Sequence, residues 1–460
     1  MICWHWQPSC WSGRHNHQPP PDTVTRGSAG TCLMRICIIT AGGAGMFCGS
    51  CMQDNTLARS LRMAGADAVL LPTYTPIRVD EENASSGQVF MGGINVYLDS
   101  RLPGWRWLPD WCRSWLDRPR VVSFLSQFSS STSAAQLGPL TVDLLTGTSG
   151  PQRREITELV KYLATELRPD VILLSNALIS GLIPELRKHW HGQLACLLQG
   201  DDIFLKDLPA PWQAQATQLI TENCRTVDLF LTHSSYYSDF MSRLLQLPHD
   251  RFRTIPLAVQ PAPPSAHAPT PHTNTANAPL HIGYFARICP EKGAFRFLEA
   301  AAELLPADPA LRMSLGGFLP ALHQKRFLQQ LQATARGCED RLQWLGSPAT
   351  REEKFRLLAT FDWLCVPAEY REPKGLYVLE AALLGIPSLL PSHGAFPERV
   401  QLLQDGQLFE PSESLAAAIR RLPRLRTNQQ RQNLAQRCLD TSGMQQAGEA
   451  VLQILTPTDS

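Results

Sequence analysis

Glu372 and Glu380 stand eight residues apart in the run Glu372-Pro-Lys-Gly-Leu-Tyr-Val-Leu-Glu380-Ala-Ala-Leu-Leu-Gly-Ile-Pro387. Ionised carboxylates only accept hydrogen bonds, so two of them suit paired hydroxyls. Gly375, between them, is predicted to open a helix, and a helix start leaves amides unpaired and partly positive. The amides of Gly375, Leu376 and Tyr377 then offer donors to a phosphate oxygen, which glycine lets approach the backbone. Glu372, in the loop over that phosphate, would meet sugar hydroxyls, and Glu380, more than one turn into the helix, would lie near a ribose. Such a set suits a sugar nucleotide.

Two glutamates at one spacing say little alone, since most are solvated. Here they are followed by Gly385-Ile-Pro387, an apolar strand at 388–390 and the turn His393-Gly394-Ala-Phe-Pro-Glu398. Upstream, Gly283-Tyr-Phe-Ala-Arg287-Ile-Cys-Pro-Glu-Lys292-Gly293 puts two cations on a turn that leaves another strand. Together these motifs resemble the retaining glycosyltransferases of family 4, whose signature is Glu-x7-Glu after an Arg/Lys pair and before a Gly-x-x-x-Glu turn. The resemblance runs from about Met34 to the C-terminus and is strongest after Leu280.

The resemblance implies an α/β chain of the GT-B fold, two Rossmann-like parallel-sheet domains facing each other across a cleft. It implies that Arg287 and Lys292 hold the donor diphosphate and, with Glu372 at the donor sugar, form the catalytic set. Glu380 would take the ribose and the backbone from Gly375 would complete the phosphate cradle. Gly394 and Glu398 would belong to the cleft. A nucleoside diphosphate sugar is then the donor, with no metal and no further cofactor. The acceptor hydroxyl would belong to a glycan, lipid or small molecule. Charge agrees with this: a charge-assisted hydrogen bond contributes about 1.5–3 kcal/mol and a helix start roughly 0.3–1 more, enough to bind a diphosphate.

Strands and helices alternate along most of the chain. Apolar runs predict strands at 35–41, 66–74, 169–176, 193–199, 227–233 and 253–258, with helices at 50–64, 179–190 and 211–225. The later half repeats this, with strands near 281–287, 311–317, 342–345, 363–367 and 387–391. Helices fall near 294–305, 320–335, 351–359, 375–384, 396–403, 413–421, 427–439 and 443–455. Alternation of this kind gives a parallel sheet covered on both faces, with ligands at the carboxyl ends of the strands. The predicted organisation is a disordered leader or misassigned start at 1–33, an N-terminal acceptor domain at 34–259 and a flexible linker at 260–279. A nucleotide-sugar domain follows at 280–440, and a final helix at 441–460 packs back on the first domain.

In the first domain, Thr40-Ala-Gly42-Gly43-Ala-Gly45-Met-Phe-Cys48-Gly49 joins a strand to a helix, where backbone can approach a phosphate or sugar. Gly42 and Gly43 match the paired glycines of the resembled family, across the cleft from the diphosphate. As a dinucleotide fingerprint the loop fails, because Cys48 stands where Gly or Ala is needed. Gln199-Gly200-Asp201-Asp202 ends another strand at the cleft, and Gln199 stands where many of the resembled enzymes carry histidine. Asp201 and Asp202 are candidates for acceptor hydroxyls or for capping the next segment. Cys48 and Cys51 form a C-x-x-C at a helix start, which allows redox or metal duty, but without a second pair they read first as packed or incidental thiols. Trp107, Trp111 and Trp115 share a helical face that would pack on the domain, touch a membrane interface or stack on a sugar.

The 460 residues allow two domains, and 44% are hydrophobic. With 42 basic and 41 acidic side chains the net charge is +1, which gives no field to recruit nucleic acid. No apolar run reaches the roughly 18 residues a membrane span needs, so the expected place is the cytoplasm, or the inner membrane face peripherally. The 13 cysteines are irregularly spaced and argue against a disulfide framework, and Cys3, His5, Cys10, His15 and His17 match no zinc spacing. The rival readings are a sugar-nucleotide epimerase or phosphorylase on the same plan, a non-catalytic sugar-nucleotide binder, and a nicotinamide oxidoreductase, which the defective glycine loop disfavours.

Overall fold

The computed structural model describes residues 33–41, 49–73, 77, 79, 82–85, 134–264, 279–319, 324–338 and 340–456. Gly42, Gly43, Cys48, the tryptophan segment 105–115, the cysteines and histidines of the first 32 residues and most of the predicted linker lie outside the described residues. The chain from Leu33 onward forms one compact unit. Among the described residues two six-stranded sheets form, and every strand pair in them is parallel.

The first sheet has the order β2-β1-β3-β4-β5-β6, with β1 Arg35–Thr40, β2 Asp67–Pro72, β3 Val171–Leu174, β4 Gln193–Leu197, β5 Leu229–Thr232 and β6 Phe252–Thr254. The second has the order β12-β11-β10-β7-β8-β9. Its strands are β7 Leu280–Phe285, β8 Leu311–Gly316, β9 Leu342–Gly346, β10 Trp363–Cys365, β11 Ser388–Pro391 and β12 Gln407–Phe409. Each sheet with its helices is a lobe. The strands are near-continuous apolar runs, as helices on both faces require; β1, for example, is buried from Ile36 to Thr40.

In the second sheet the winding reverses between β7 and β10, which are direct neighbours. Ligands of open α/β sheets bind outside the carboxyl ends of the strands at such a switch point. The chain leaving β7 carries Arg287 and Lys292, and the chain leaving β10 carries Glu372, so topology brings the two motifs to one place.

The lobes share elements. The final helix, Met444–Leu455, sends Val451 and Leu455 into the N-terminal core beside Leu57 and Leu61 of the helix Gly49–Met63. Val259 N donates to Ser442 O at 2.8 Å, and Arg351 Nη2 donates to the carbonyls of Gln260 and Pro261 at 3.1 and 2.9 Å. The predicted strand 253–258 is corrected to β6, which stops at Thr254. Pro256 has no N–H to give a ladder, so the chain there leaves the sheet. The predicted helix 179–190 is a 3-10 turn, Ala177–Leu182, running into a helix at Ile183–His189.

Candidate active site

A cleft of about 280 Å³ opens at the switch point of the second sheet. Arg287, Lys292, Glu372, Leu376, Tyr377 and Glu380, all singled out from sequence, line it. Lys354, Lys374, Phe285, Phe318 and the stretch 347–350 join them from the same lobe, and Gly49 and Met52 from the other. The lining thus carries four cations (Arg287, Lys292, Lys354, Lys374) against two carboxylates (Glu372, Glu380).

Gly375 precedes the helix Leu376–Ala382 with φ +70°, a left-handed conformation that costs glycine little and lets the chain turn sharply from loop to helix. The turn directs Glu372 inward, where it is 3% exposed. Its Oε2 accepts from Lys292 Nζ, from Tyr370 Oη at 2.9 Å and from Tyr377 Oη at 3.0 Å. Its Oε1 accepts from Gly375 N at 3.3 Å. Burial on its own would push this carboxyl up, but the Lys292 ammonium and the two phenols override it and hold Glu372 at about 2. A sugar hydroxyl reaching Glu372 would have to displace one of these donors. Gly394, with φ +62°, lies behind the loop and not on the cleft wall: a Cβ there would come within 2.7 Å of Glu372 backbone atoms.

Glu380 pairs with Lys354, Nζ to Oε1 at 2.9 Å, on the opposite wall. The Arg287 side chain is exposed at the rim of the turn after β7. Lys374 reaches the other lobe, donating to Gln199 Oε1 at 3.0 Å and Ser50 Oγ at 3.4 Å. The Gln199 amide is oriented for this contact, because its Nε2 donates to Asp54 Oδ1 at 2.7 Å and Ser175 O at 3.2 Å. Gln199 therefore sits at the lobe junction, buried, as an acceptor for a cation.

The remaining predicted residues serve the frame. Asp201 accepts from Ala177 N at 2.6 Å and Gln199 N at 3.0 Å, and burial pushes its carboxyl up to about 6. Asp202 accepts from Tyr237 Oη at 2.6 Å, and burial raises it as well. Glu398 crosses between lobes: its two oxygens accept from Ser235 N and Tyr236 N, each at 2.8 Å, at the start of the helix Ser235–Leu244. Sequence reasoning missed Lys354, Lys374, Asp54 and Tyr370. Tyr370 and Tyr377 flank Glu372 closely enough to have been noticed, whereas nothing local ties Lys354 to Glu380 or Lys374 to Gln199.

Cys51 is buried, and its Sγ accepts from Thr40 Oγ1 at 4.0 Å. No group of His, Cys, Asp and Glu suited to a metal occurs among the described residues, and no described helix is long and apolar enough to cross a membrane.

Residues 272–438 match the family model described as glycosyl transferases group 1. No curated protein sequence matches the chain. Among solved structures, HepE from Anabaena, determined with UDP and glucose and with UDP-glucose, is similar with a TM-score of 0.58 at 15% identity, over 92% of this chain and 99% of HepE. Sucrose-phosphate synthase from Thermosynechococcus elongatus is similar with a TM-score of 0.62 at 16% identity, over 92% and 98%. The trehalose-6-phosphate synthase OtsA gives 0.58 at 14%, over 92% and 98%. At these identities the likeness is one of fold: two parallel-sheet lobes in the GT-B arrangement.

Proposed function

We propose that this chain is a retaining glycosyltransferase of family 4, moving a sugar from a nucleoside diphosphate sugar to an acceptor hydroxyl of a glycan, lipid or small molecule. The observation that carries the reading is the charge of the cleft. Four cations less two carboxylates leave the lining with two positive charges, at a strand switch point, in a space close to the roughly 300 Å³ where small-molecule sites begin. A nucleoside diphosphate ester brings about two negative charges to match, and complementary charge at fixed positions is how a departing diphosphate is stabilised.

Arg287 and Lys292, with the amides of Leu376 and Tyr377, are assigned to the diphosphate, the Gly375 amide being engaged by Glu372 Oε1, and Glu380 is assigned to the ribose. Phe285, Phe318 and Pro348 give the apolar end that a base needs. Glu372 stands beside the donor sugar and anchors Lys292. Gly42 and Gly43 are assigned to the donor from the other lobe, and Gln199 to the acceptor side. In the reaction the bond from the anomeric carbon to the phosphate oxygen breaks, the acceptor oxygen bonds to the same face, and its proton passes to the departing phosphate oxygen. UDP is the first nucleotide to try, since HepE has been solved with UDP-glucose.

The test is thermal unfolding with UDP-, GDP- and ADP-glucose. One of them should raise the midpoint as saturation rises, the stabilisation reaching about 2.7 kcal/mol at a hundred times Kd. No shift with any of the three would remove the proposal. Glu380→Gln should weaken binding of that nucleotide about ten- to thirtyfold, the worth of a hydrogen bond to a charged group. Calorimetric titration giving the same Kd for this variant and the wild type would end the ribose assignment.

A further inference from the structure

The geometry points to Tyr370 and Tyr377 as positioning residues: their hydroxyls fix Glu372 as the stationary partner of Lys292, and their rings confine the Lys292 ammonium to one place on the cleft wall. The inference rests on the reading of that wall as a diphosphate site and deepens it.

A lysine is a point charge on a flexible stem, so it binds a phosphate well only if something else limits where the charge can be. Here the limits come from two elements. Tyr370, in the loop after β10, puts its ring centroid 4.8 Å from Nζ, and Tyr377, in the helix after Gly375, puts its own at 5.1 Å. Nζ is held at the hydroxyl end of Tyr370, and the Tyr377 ring lies within reach of cation–π attraction, so the two side chains bracket the charge. The hydroxyls act on its counter-ion. Both donate to the same oxygen, Glu372 Oε2, that Lys292 binds, and Tyr370 Oη also accepts from Nζ at 2.9 Å.

A buried core tyrosine ordinarily needs one hydrogen-bond partner of any kind. Tyr370 and Tyr377, which are only partly buried, both spend their donor on one carboxylate oxygen already held by a lysine. The oxygen with three donors has its lone pairs engaged, and the other oxygen is tied to Gly375 N at 3.3 Å. Glu372 is therefore a fixed post, and Lys292 can release one contact to meet a phosphate without losing its place. The surroundings agree in charge. Glu372 also feels Arg399 of the helix Phe396–Leu403, Tyr370 feels Arg287 and Asp202, and Tyr377 feels Tyr284. Both phenols are held well above their ordinary range, chiefly by burial, so they stay protonated and donate at any pH where the protein is used.

The experiment is calorimetric titration of UDP into the full chain between pH 5 and 8, for the wild type, Tyr370→Phe, Tyr377→Phe, the double Phe variant and Tyr377→Leu. Each variant is read as a ratio to wild type at the same pH, which cancels the titration of UDP itself. Each single Phe substitution should weaken binding about three- to tenfold, and Tyr377→Leu, which also removes the ring, more. Without the two donors the carboxyl should move up, because burial is then opposed by fewer groups. Protonating Glu372 would release the ammonium from its post, so the deficit of the double variant should widen as pH falls. A tyrosine that merely fills space would give no such pH dependence. Ratios near one at every pH in the Phe variants, or a deficit independent of pH, would overturn the inference while wild-type binding upheld the cleft. Wild-type protein that failed to bind UDP, GDP or ADP would overturn both. Should the double variant not fold, the two single variants carry the same comparison.

Discussion

Lys292→Met should lower UDP affinity by about ten- to a hundredfold, the worth of the one charge-assisted hydrogen bond that the proposed diphosphate assignment gives Lys292. It should also unfold more easily than the wild type, by about 3–5 kcal/mol, because a buried carboxylate loses the cation that compensates it. The two effects separate in the double variant Lys292→Met/Glu372→Gln, in which stability should partly return while UDP binding does not. pH gives a second signature. In the wild type Glu372 is held at about 2, below its unfolded value, so its contribution is present above roughly pH 4.3 and fades as pH falls toward 2. Without Lys292, burial is opposed only by the two phenols and the carboxyl rises from its wild-type position, so the variant's stability deficit against wild type should shrink as pH falls from 7 toward 5. Denaturant titrations of both proteins at pH 7 and 5 read the sign directly. Equal stability and equal UDP affinity in Lys292→Met and wild type would remove Lys292 from the site.

The sheets were legible because buried parallel strands are written as short apolar runs between turn residues. β1, β4, β7, β8 and β11 all lie within about two residues of where Val, Ile, Leu and Cys cluster in sequence. β12, Gln407–Phe409, is too short to stand out from a turn. The helix Ala134–Leu145 contains Gly138-Pro139, which reads as a break, yet packing against the helix Ala210–Asn223 overrides the local preference. The helix Arg153–Lys161 is mostly polar, with Ile156, Leu159 and Val160 as its buried stripe.

In the site, the legible part was the part encoded within one segment. Glu372, Gly375 and Glu380 share a loop and a helix start, and Arg287 and Lys292 share a turn, so spacing within each segment marks it as a candidate. What spacing cannot encode is a partner on a different element. Lys354 meets Glu380, Lys374 meets Gln199, and Asp54 fixes Gln199, across 26, 175 and 145 residues of chain. Glu398 shows the same limit in the other direction. Its place in a Gly-x-x-x-Glu turn suggested the cleft, but which backbone donors it faces depends on how the lobes meet, and it caps a helix in the opposite lobe.

That cap belongs to a set of contacts that join the two lobes. Arg399, 4% exposed, donates from Nη2 to His233 O in the N-terminal lobe and from Nε to Lys374 O in its own at 2.8 Å. Ser234 Oγ donates to Pro373 O at 2.8 Å beside it. Burial lowers Arg399 to about 10, which leaves it charged at neutral pH, so both bonds are charge-assisted. Arg399→Met should cost the closed form about 3 kcal/mol, close to a hundredfold in the ratio of closed to open. Glu398→Gln, which keeps one acceptor and loses the charge at the helix start, should cost about 1 kcal/mol, or roughly fivefold. Small-angle scattering should show a larger radius of gyration for Arg399→Met, with Glu398→Gln between it and wild type. UDP affinity should fall less than tenfold in either, since the cations of the cleft all sit in one lobe. Lys292→Met should do the reverse, losing affinity at unchanged radius. If Arg399→Met scatters as the wild type does, the buried arginine serves only the C-terminal lobe and closure is held elsewhere. The reciprocal pattern of the two variants bears on the proposed transfer, in which water would compete with the acceptor and closure would serve to exclude it.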